Sequence, residues 1–130
     1  MLIDVHNHSM PGVDDGSQDS DMTFQMLQMA YEEGIRAVIL TPHYKSTMSD
    51  ETTQKRYAAY RKACLMAEKV SPRLKLYLGE ELYYDSKMVQ RLREGRAQFM
   101  WIIHIFDRRC RISGRQGICR FWHTLSVTRC

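Results

Sequence analysis

Side chains that commonly bind metal ions follow three successive apolar segments of the sequence. The segments are LIDVH, IRAVILTP and LKLYLG, and the side chains at or just after their ends are His6, His8, Asp14, Asp15, His43, Glu80 and Glu81. A set of imidazoles and carboxylates suits Mn, Zn or Fe better than Mg or Ca. The pattern therefore predicts a site for divalent metal ions.

The spacing of His6 and His8 has a physical reason. In an extended strand, residues i and i+2 point to the same side, so the two imidazoles can reach one ion. A carboxylate such as Glu81 could bridge two ions. A two-metal site lowers the pKa of a bridging water and clamps a phosphoryl oxygen.

Each group of these residues also has an ordinary structural explanation. An isolated HxH is often a surface pair, and the sequence Asp14-Asp15-Gly16 is typical of a turn. Glu80 and Glu81 would suit a solvated strand end. The metal site is favoured because several ligand types fall at one edge of the expected sheet.

The elements that must position these side chains alternate between strands and helices. The sequence predicts strands at residues 2–6, 35–43, 74–81 and 97–106, and helices at about 20–33, 50–70 and 86–93. Such alternation indicates an α/β fold with parallel strands and crossover helices, in which active sites lie at the carboxyl ends of the strands. For the first helix we expect Ser20 as the N-cap and a buried face formed by Met22, Met26 and Met29.

The charge of the chain is divided unevenly along its length. Residues 1–98 hold 13 Lys and Arg against 14 Asp and Glu, whereas residues 99–130 hold six Arg, one acid and three of the four Cys. The net charge of +4 therefore comes from the C-terminal segment, which argues against a nucleic-acid-binding face on the body. We expect a domain at residues 1–98 followed by an atypical Arg- and Cys-rich tail at 99–130. A shifted reading frame is one hypothesis for the tail, and a genuine tail that binds an acidic partner is the other.

The sequence favours a cytoplasmic protein with no membrane insertion. The longest apolar runs are four or five residues, far short of the roughly 20 that a membrane span requires. The N-terminal MLIDVHNH places an Asp and two His where a signal peptide has a basic start and an apolar stretch.

Three stretches, DVHNHSMPGVDDGSQDS, AVILTPHY and LYLGEEL, resemble the PHP (polymerase and histidinol phosphatase) superfamily. PGVDDG narrows the resemblance to the manganese-dependent protein-tyrosine phosphatases of bacterial capsular and exopolysaccharide gene clusters. The resemblance covers residues 1–98. It implies a distorted (β/α)₇ barrel with metal ions at its carboxyl edge, and hydrolysis by a metal-activated water without a phosphocysteine intermediate.

The same resemblance implies a role for individual residues. His6 and His8 match ligands of the first metal, Glu81 matches the carboxylate that bridges two metals, and Asp15 and His43 match ligands of the third. The implied cofactor is Mn²⁺, with two or three ions in the full-length family, and no catalytic side chain is implied beyond these ligands. The implied partner is a phosphotyrosine-containing protein, usually the tyrosine-rich tail of a polysaccharide-regulating tyrosine kinase, and no nucleic acid.

Residues 99–130 depart from the family pattern. The family's remaining ligands lie further along its longer chain, and His104, Asp107 and His123 match none of them. We therefore expect the N-terminal portion of a barrel, truncated, with an incomplete metal site, open edges that favour a homo-oligomer, and activity that truncation could abolish. Two alternatives stay open, namely another PHP phosphoesterase of the histidinol-phosphatase kind and a non-catalytic metal-binding fragment.

Overall fold

The structure, a computed structural model, describes residues 2–95 together with the backbone of residues 128 and 129. In chain order its elements are β1 (Leu2–Asn7), α1 (Ser20–Glu32), β2 (Ile35–Leu40), β3 (His43–Tyr44), α2 (Asp50–Val70), β4 (Lys75–Leu78), β5 (Glu81–Leu82), α3 (Met88–Arg93) and β6 (Thr128–Arg129). The fourth strand expected at 97–106 and the expected domain boundary near residue 98 lie outside the described residues.

Parallel strands form the centre of the fold. β2 lies between β1 and β4 and runs parallel to both, and β6 pairs antiparallel with the other side of β4. The expected α/β class with parallel strands is therefore confirmed. The strand at 128–129 was not expected from the sequence.

The two long helices cover the sheet and enclose one apolar core. α1 packs against α2 and β2, and α2 packs against β4. Most of the buried side chains of this core come from α1, α2 and the two inner strands, and they include Leu27, Val38, Leu40, Ala63 and Leu76. The loop after β1 adds Met10, which is fully buried. Burying apolar surface of this kind contributes about 25 cal/mol per Å² to folding.

Two of the expected strands are interrupted, and the interruptions create a second, smaller sheet. β2 ends at Leu40, two residues before Pro42, which has no amide hydrogen and cannot continue a strand ladder. β4 likewise ends before β5 begins at Glu81. The short strands β3 and β5 pair with each other in parallel, with His43 opposite Glu81.

The ends of the helices follow local capping chemistry. The N-cap of α1 is Asp19 and not Ser20, because the Asp19 carboxylate accepts a hydrogen bond from the backbone N–H of Met22 at 2.8 Å. α2 has the expected bounds, with Ser49 as its N-cap. α3 begins at Met88, two residues later than expected. No helix in residues 2–95 is long and apolar enough to cross a membrane.

The expectation that methionines form the buried face of α1 was wrong. Met29 is 62% exposed and Met22 is 39% exposed, whereas Thr23 and Leu27 are fully buried. Thr23 and Leu27 come one residue after Met22 and Met26. The buried stripe of α1 is therefore rotated by about 100° around the helix from the predicted methionine stripe. Both stripes carry apolar residues, so periodicity could not distinguish them, and packing against α2 and β2 decided between them.

Candidate metal centre

A bulge near the end of β1 places His6. Asp4 lies opposite Val38 and Asn7 lies opposite Leu40, so β1 uses one more residue than β2 over the same stretch. Bulges of this kind re-aim side chains and are common near active sites. The Asp4 carboxylate stabilises the bulge, since it accepts hydrogen bonds from the backbone N–H of His6 at 3.1 Å and from the side-chain amide of Asn7 at 2.8 Å.

The loop after β1 folds back onto His8. The backbone N–H of Ser17 donates to the His8 carbonyl at 2.9 Å, and Gly16 lies so close that a Cβ there would be 2.1 Å from the same oxygen. Only glycine permits this approach. The contact brings Asp14 and Asp15, which immediately precede Gly16, to the side of the sheet where His8 lies.

The small sheet places the other two ligand candidates beside each other. Glu81 lies opposite His43 in the β3–β5 pair, and the Glu81 backbone N–H donates to the Pro42 carbonyl at 3.1 Å. Because paired residues of neighbouring strands extend their side chains to the same face, His43 and Glu81 both face the loop from β1.

One carboxylate oxygen of Glu81 lies at the centre of the site. Its Oε2 is 3.5 Å from His6 Nε2, 3.2 Å from His8 Nε2 and 3.1 Å from His43 Nδ1. His6 Nε2 and His8 Nε2 are 3.1 Å apart. On the other side of His43, the Nε2 atom lies 3.1 Å from Asp15 Oδ1.

The distances between these atoms fit shared metal ligation. Two ligand atoms bound about 2.1 Å from one ion lie about 3.0–3.4 Å apart at octahedral or tetrahedral angles. The chemistry of His8 agrees, because the carboxylate of Asp14 lies 2.8 Å from His8 Nδ1 and can only accept a hydrogen bond. A neutral imidazole that donates from Nδ1 to Asp14 has its lone pair on Nε2, the atom that lies 3.2 Å from Glu81 Oε2. That lone pair is then available to bind a cation beside the Glu81 carboxylate.

His43 supplies a second indication that the site is built for a ligand. Among the described residues its Nδ1 atom is buried and has no hydrogen-bond partner, although the Glu81 carboxylate is close to it. Buried polar atoms in proteins nearly always have a partner, so an exception such as this one is informative. Two groups of ligand atoms thus meet at His8, namely the group of His6, His8 and Glu81 and the group of His8, Asp14, Asp15 and His43.

The structure distinguishes the members of the two acidic pairs. The side chain of Asp14 is buried, and its Oδ2 atom contacts His8 and accepts a hydrogen bond from the His43 backbone N–H at 3.2 Å. The side chain of Asp15 is exposed. Glu81 faces the site, and Glu80 turns into the core. All five residues matched by the resemblance are therefore brought together, and Asp14 joins them as a residue that orients His8.

Two contributions were missed in the sequence. Asp4 supports the bulge, and the signal for it was a carboxylate two residues before the first His of HxH. Asp14 was among the predicted metal-binding side chains, but its contact with His8 Nδ1 was not predicted. His104, Asp107 and His123 lie outside the described residues.

The segments that follow β3 and β5 form one wall beside the site. The ring of Tyr83 meets the His43 imidazole edge-on at 5.0 Å, and Lys45 Nζ lies 5.2 Å from the centre of the Tyr83 ring. Further along, the Ser46 hydroxyl donates to the Asp85 carboxylate, and this hydrogen bond lowers the pKa of Asp85 below its usual 3.8. The two segments are therefore joined to each other beyond the ligands.

Residues 2–102 match the family described as capsular polysaccharide synthesis, CpsB/CapC. The chain belongs to the CpsB/CapC family. This result confirms the resemblance to proteins of capsular gene clusters.

Named members of the CpsB/CapC family align with the N-terminal part of the chain. Tyrosine-protein phosphatase CpsB of Streptococcus agalactiae is 28% identical over 92 residues, which are 71% of this chain and 38% of the relative. Tyrosine-protein phosphatase YwqE of Bacillus subtilis is 42% identical over 45 residues, 35% of this chain and 18% of the relative. The putative tyrosine-protein phosphatase CapC of Staphylococcus aureus is 24% identical over 89 residues, 68% of this chain and 35% of the relative.

A solved structure of the same family shares the fold. It comes from the crystal structures of YwqE from Bacillus subtilis and CpsB from Streptococcus pneumoniae, described as unique metal-dependent tyrosine phosphatases. The match has a TM-score of 0.56 and 26% identity, and covers 75% of this chain and 39% of the solved one. The chain thus spans about two fifths of the length of the CpsB proteins that it matches.

Proposed function

We propose that this CpsB/CapC protein is a metal-dependent protein-tyrosine phosphatase, with His6, His8, Asp15, His43 and Glu81 as ligands. The observation that carries the proposal is that three imidazoles lie within 3.5 Å of one oxygen of Glu81, while Asp15 lies 3.1 Å from the other nitrogen of His43. The relatives named as tyrosine phosphatases support the reaction class.

The residues of the chain have separable tasks in this proposal. His6, His8 and Glu81 would hold one ion, and His43 with Asp15 would hold another beside it. Bound divalent ions at such a site lower the pKa of a water and offset charge on phosphoryl oxygens. Asp14, 2.8 Å from His8 Nδ1, would accept a hydrogen bond from that nitrogen and leave Nε2 to bind the ion.

The proposal also names the metal, the domain bounds and the substrate. We propose Mn²⁺ as the metal, because imidazole and carboxylate donors together suit a first-row transition ion. We propose residues 1–98 as part of a PHP-type barrel and 99–130 as a separate tail. The substrate would be a phosphotyrosine protein, with a polysaccharide-regulating tyrosine kinase as the proposed one. The cytoplasmic location and the homo-oligomer stay predictions.

The test is Mn²⁺-dependent release of phosphate from a phosphotyrosine peptide by the purified chain, measured beside histidinol phosphate. We expect release from the peptide, and its loss in His6→Ala and Glu81→Ala. Glu51→Ala is the matched control, because it removes an exposed carboxylate that pairs with Lys55 on α2.

Each other outcome favours one alternative. Release from histidinol phosphate but not from the peptide would favour a small-molecule phosphoesterase. Metal binding that both alanine variants abolish, without release from either compound, would favour a non-catalytic metal-binding protein. Wild-type activity in both variants would contradict the proposed ligands.

A further inference from the structure

A charged side chain lies inside the fold, directly behind the metal centre. Arg56, in the second turn of α2, is only 5% exposed. Its Nη1 atom lies 2.8 Å from Glu80 Oε1, and its Nη2 atom donates to the Pro42 carbonyl at 3.2 Å. Burying an ion pair is costly, and well-packed apolar side chains often stabilise a protein as well or better. Stability alone therefore does not account for a buried arginine here.

The two groups that Arg56 contacts are neighbours of ligand candidates in the sequence. Pro42 immediately precedes His43, and Glu80 immediately precedes Glu81. The strands β3 and β5, which begin at His43 and Glu81, are two residues long, so their own ladder offers few hydrogen bonds. The Pro42 carbonyl also accepts from the Glu81 backbone N–H at 3.1 Å. One planar guanidinium thus connects both segments at the point where they turn towards the site.

We infer that Arg56 is a positioning residue, whose buried contacts with Glu80 and the Pro42 carbonyl set the separation of His43 and Glu81 and thereby the metal affinity. The inference rests on the proposed function, since it needs these two residues to bind a metal. The rigid fork of an arginine suits this task, because its two donors hold two acceptors at a defined spacing. The side chain of Glu80 compensates the charge of Arg56, so the pair adds no net charge behind a cation site.

The test measures Mn²⁺ affinity from the loss of the electron paramagnetic resonance signal of free Mn²⁺, at a temperature where circular dichroism shows every variant folded. Arg56→Lys keeps the charge but not the fork. The double variant Arg56→Met, Glu80→Leu removes the ion pair without leaving a buried charge unpaired. We expect both to bind Mn²⁺ about tenfold more weakly, as for other groups that orient metal ligands.

Tyr60→Phe is the matched control. Tyr60 lies one turn after Arg56 on α2, is also buried, and also donates to a strand carbonyl, that of Leu76 at 3.3 Å. It contacts neither Pro42 nor Glu80 through this bond. If α2 acts only through general stability, Tyr60→Phe and the Arg56 variants should behave alike in the metal titration. The inference expects wild-type affinity for Tyr60→Phe.

Two results would overturn the inference, and only the second would also reject the proposed metal site. Wild-type affinity in Arg56→Lys and the double variant, together with loss of binding in His43→Ala and Glu81→Ala, would make Arg56 a structural residue and leave the proposed function intact. Wild-type affinity in His43→Ala and Glu81→Ala would reject the metal site itself, and the inference with it.

Discussion

Replacing Gly16 with alanine should damage the metal centre without touching a ligand. The new Cβ would lie 2.1 Å from the His8 carbonyl oxygen and 2.5 Å from the His8 Cβ atom, both shorter than real Cβ contacts. The loop must retreat by about 0.9 Å to restore a separation of 3.0 Å, and overpacking of this size costs about 1–3 kcal/mol of stability. A shift of that size also exceeds the roughly 0.5 Å within which site geometry must be held.

The retreat should lengthen the separation of Asp15 Oδ1 and His43 Nε2, now 3.1 Å, to about 4 Å, too far for both atoms to bind one ion. We expect Mn²⁺ affinity, measured by calorimetric titration, to fall at least about tenfold. Gly95→Ala is the control. It introduces strain at φ +67° with no atom within 4 Å of the new Cβ, so it should cost about 1–2 kcal/mol and leave metal binding unchanged. Wild-type affinity in Gly16→Ala, or an equal loss in both variants, would refute the reasoning.

Three further predictions concern the support of the site and the core. Asp14→Asn should weaken Mn²⁺ binding about tenfold in the same titration, because it removes the carboxylate that orients a ligand, and an unchanged affinity would contradict this role. Asp85, whose pKa the Ser46 hydroxyl lowers below 3.8, should stabilise the fold fully above that pH and lose this effect as the pH falls through the lowered value. The difference in urea midpoint between wild type and Asp85→Asn should therefore shrink in acid, and a constant difference would count against it. Leu27→Ala should lower the free energy of unfolding in urea by about 2–5 kcal/mol, whereas Met29→Ala should change it by at most about 0.5 kcal/mol. Equal losses in the two variants would indicate that the methionines form the buried face of α1 after all.

The strongest predictions from the sequence concerned residues whose chemistry and spacing are local. HxH at the end of an apolar strand indicated two imidazoles on one side, and the structure places His6 Nε2 and His8 Nε2 3.1 Å apart. α2 has the predicted bounds, with Pro72 two residues beyond its end, and the structure adds Ser49 as its N-cap. The weakest prediction concerned α1, where the predicted methionine face lies next to the stripe of Thr23 and Leu27 that the fold buries.

Some features of this protein depend on local side-chain chemistry, and others depend on tertiary packing. The sequence by itself determined which ligand types are present and the order of the long strands and helices, because these depend on side-chain chemistry and short-range geometry. Only the tertiary structure decided that Glu81 faces the site while Glu80 meets Arg56 in the core. That choice depends on where two strands break and pair again, and hydrogen bonds between segments far apart in the sequence determine it.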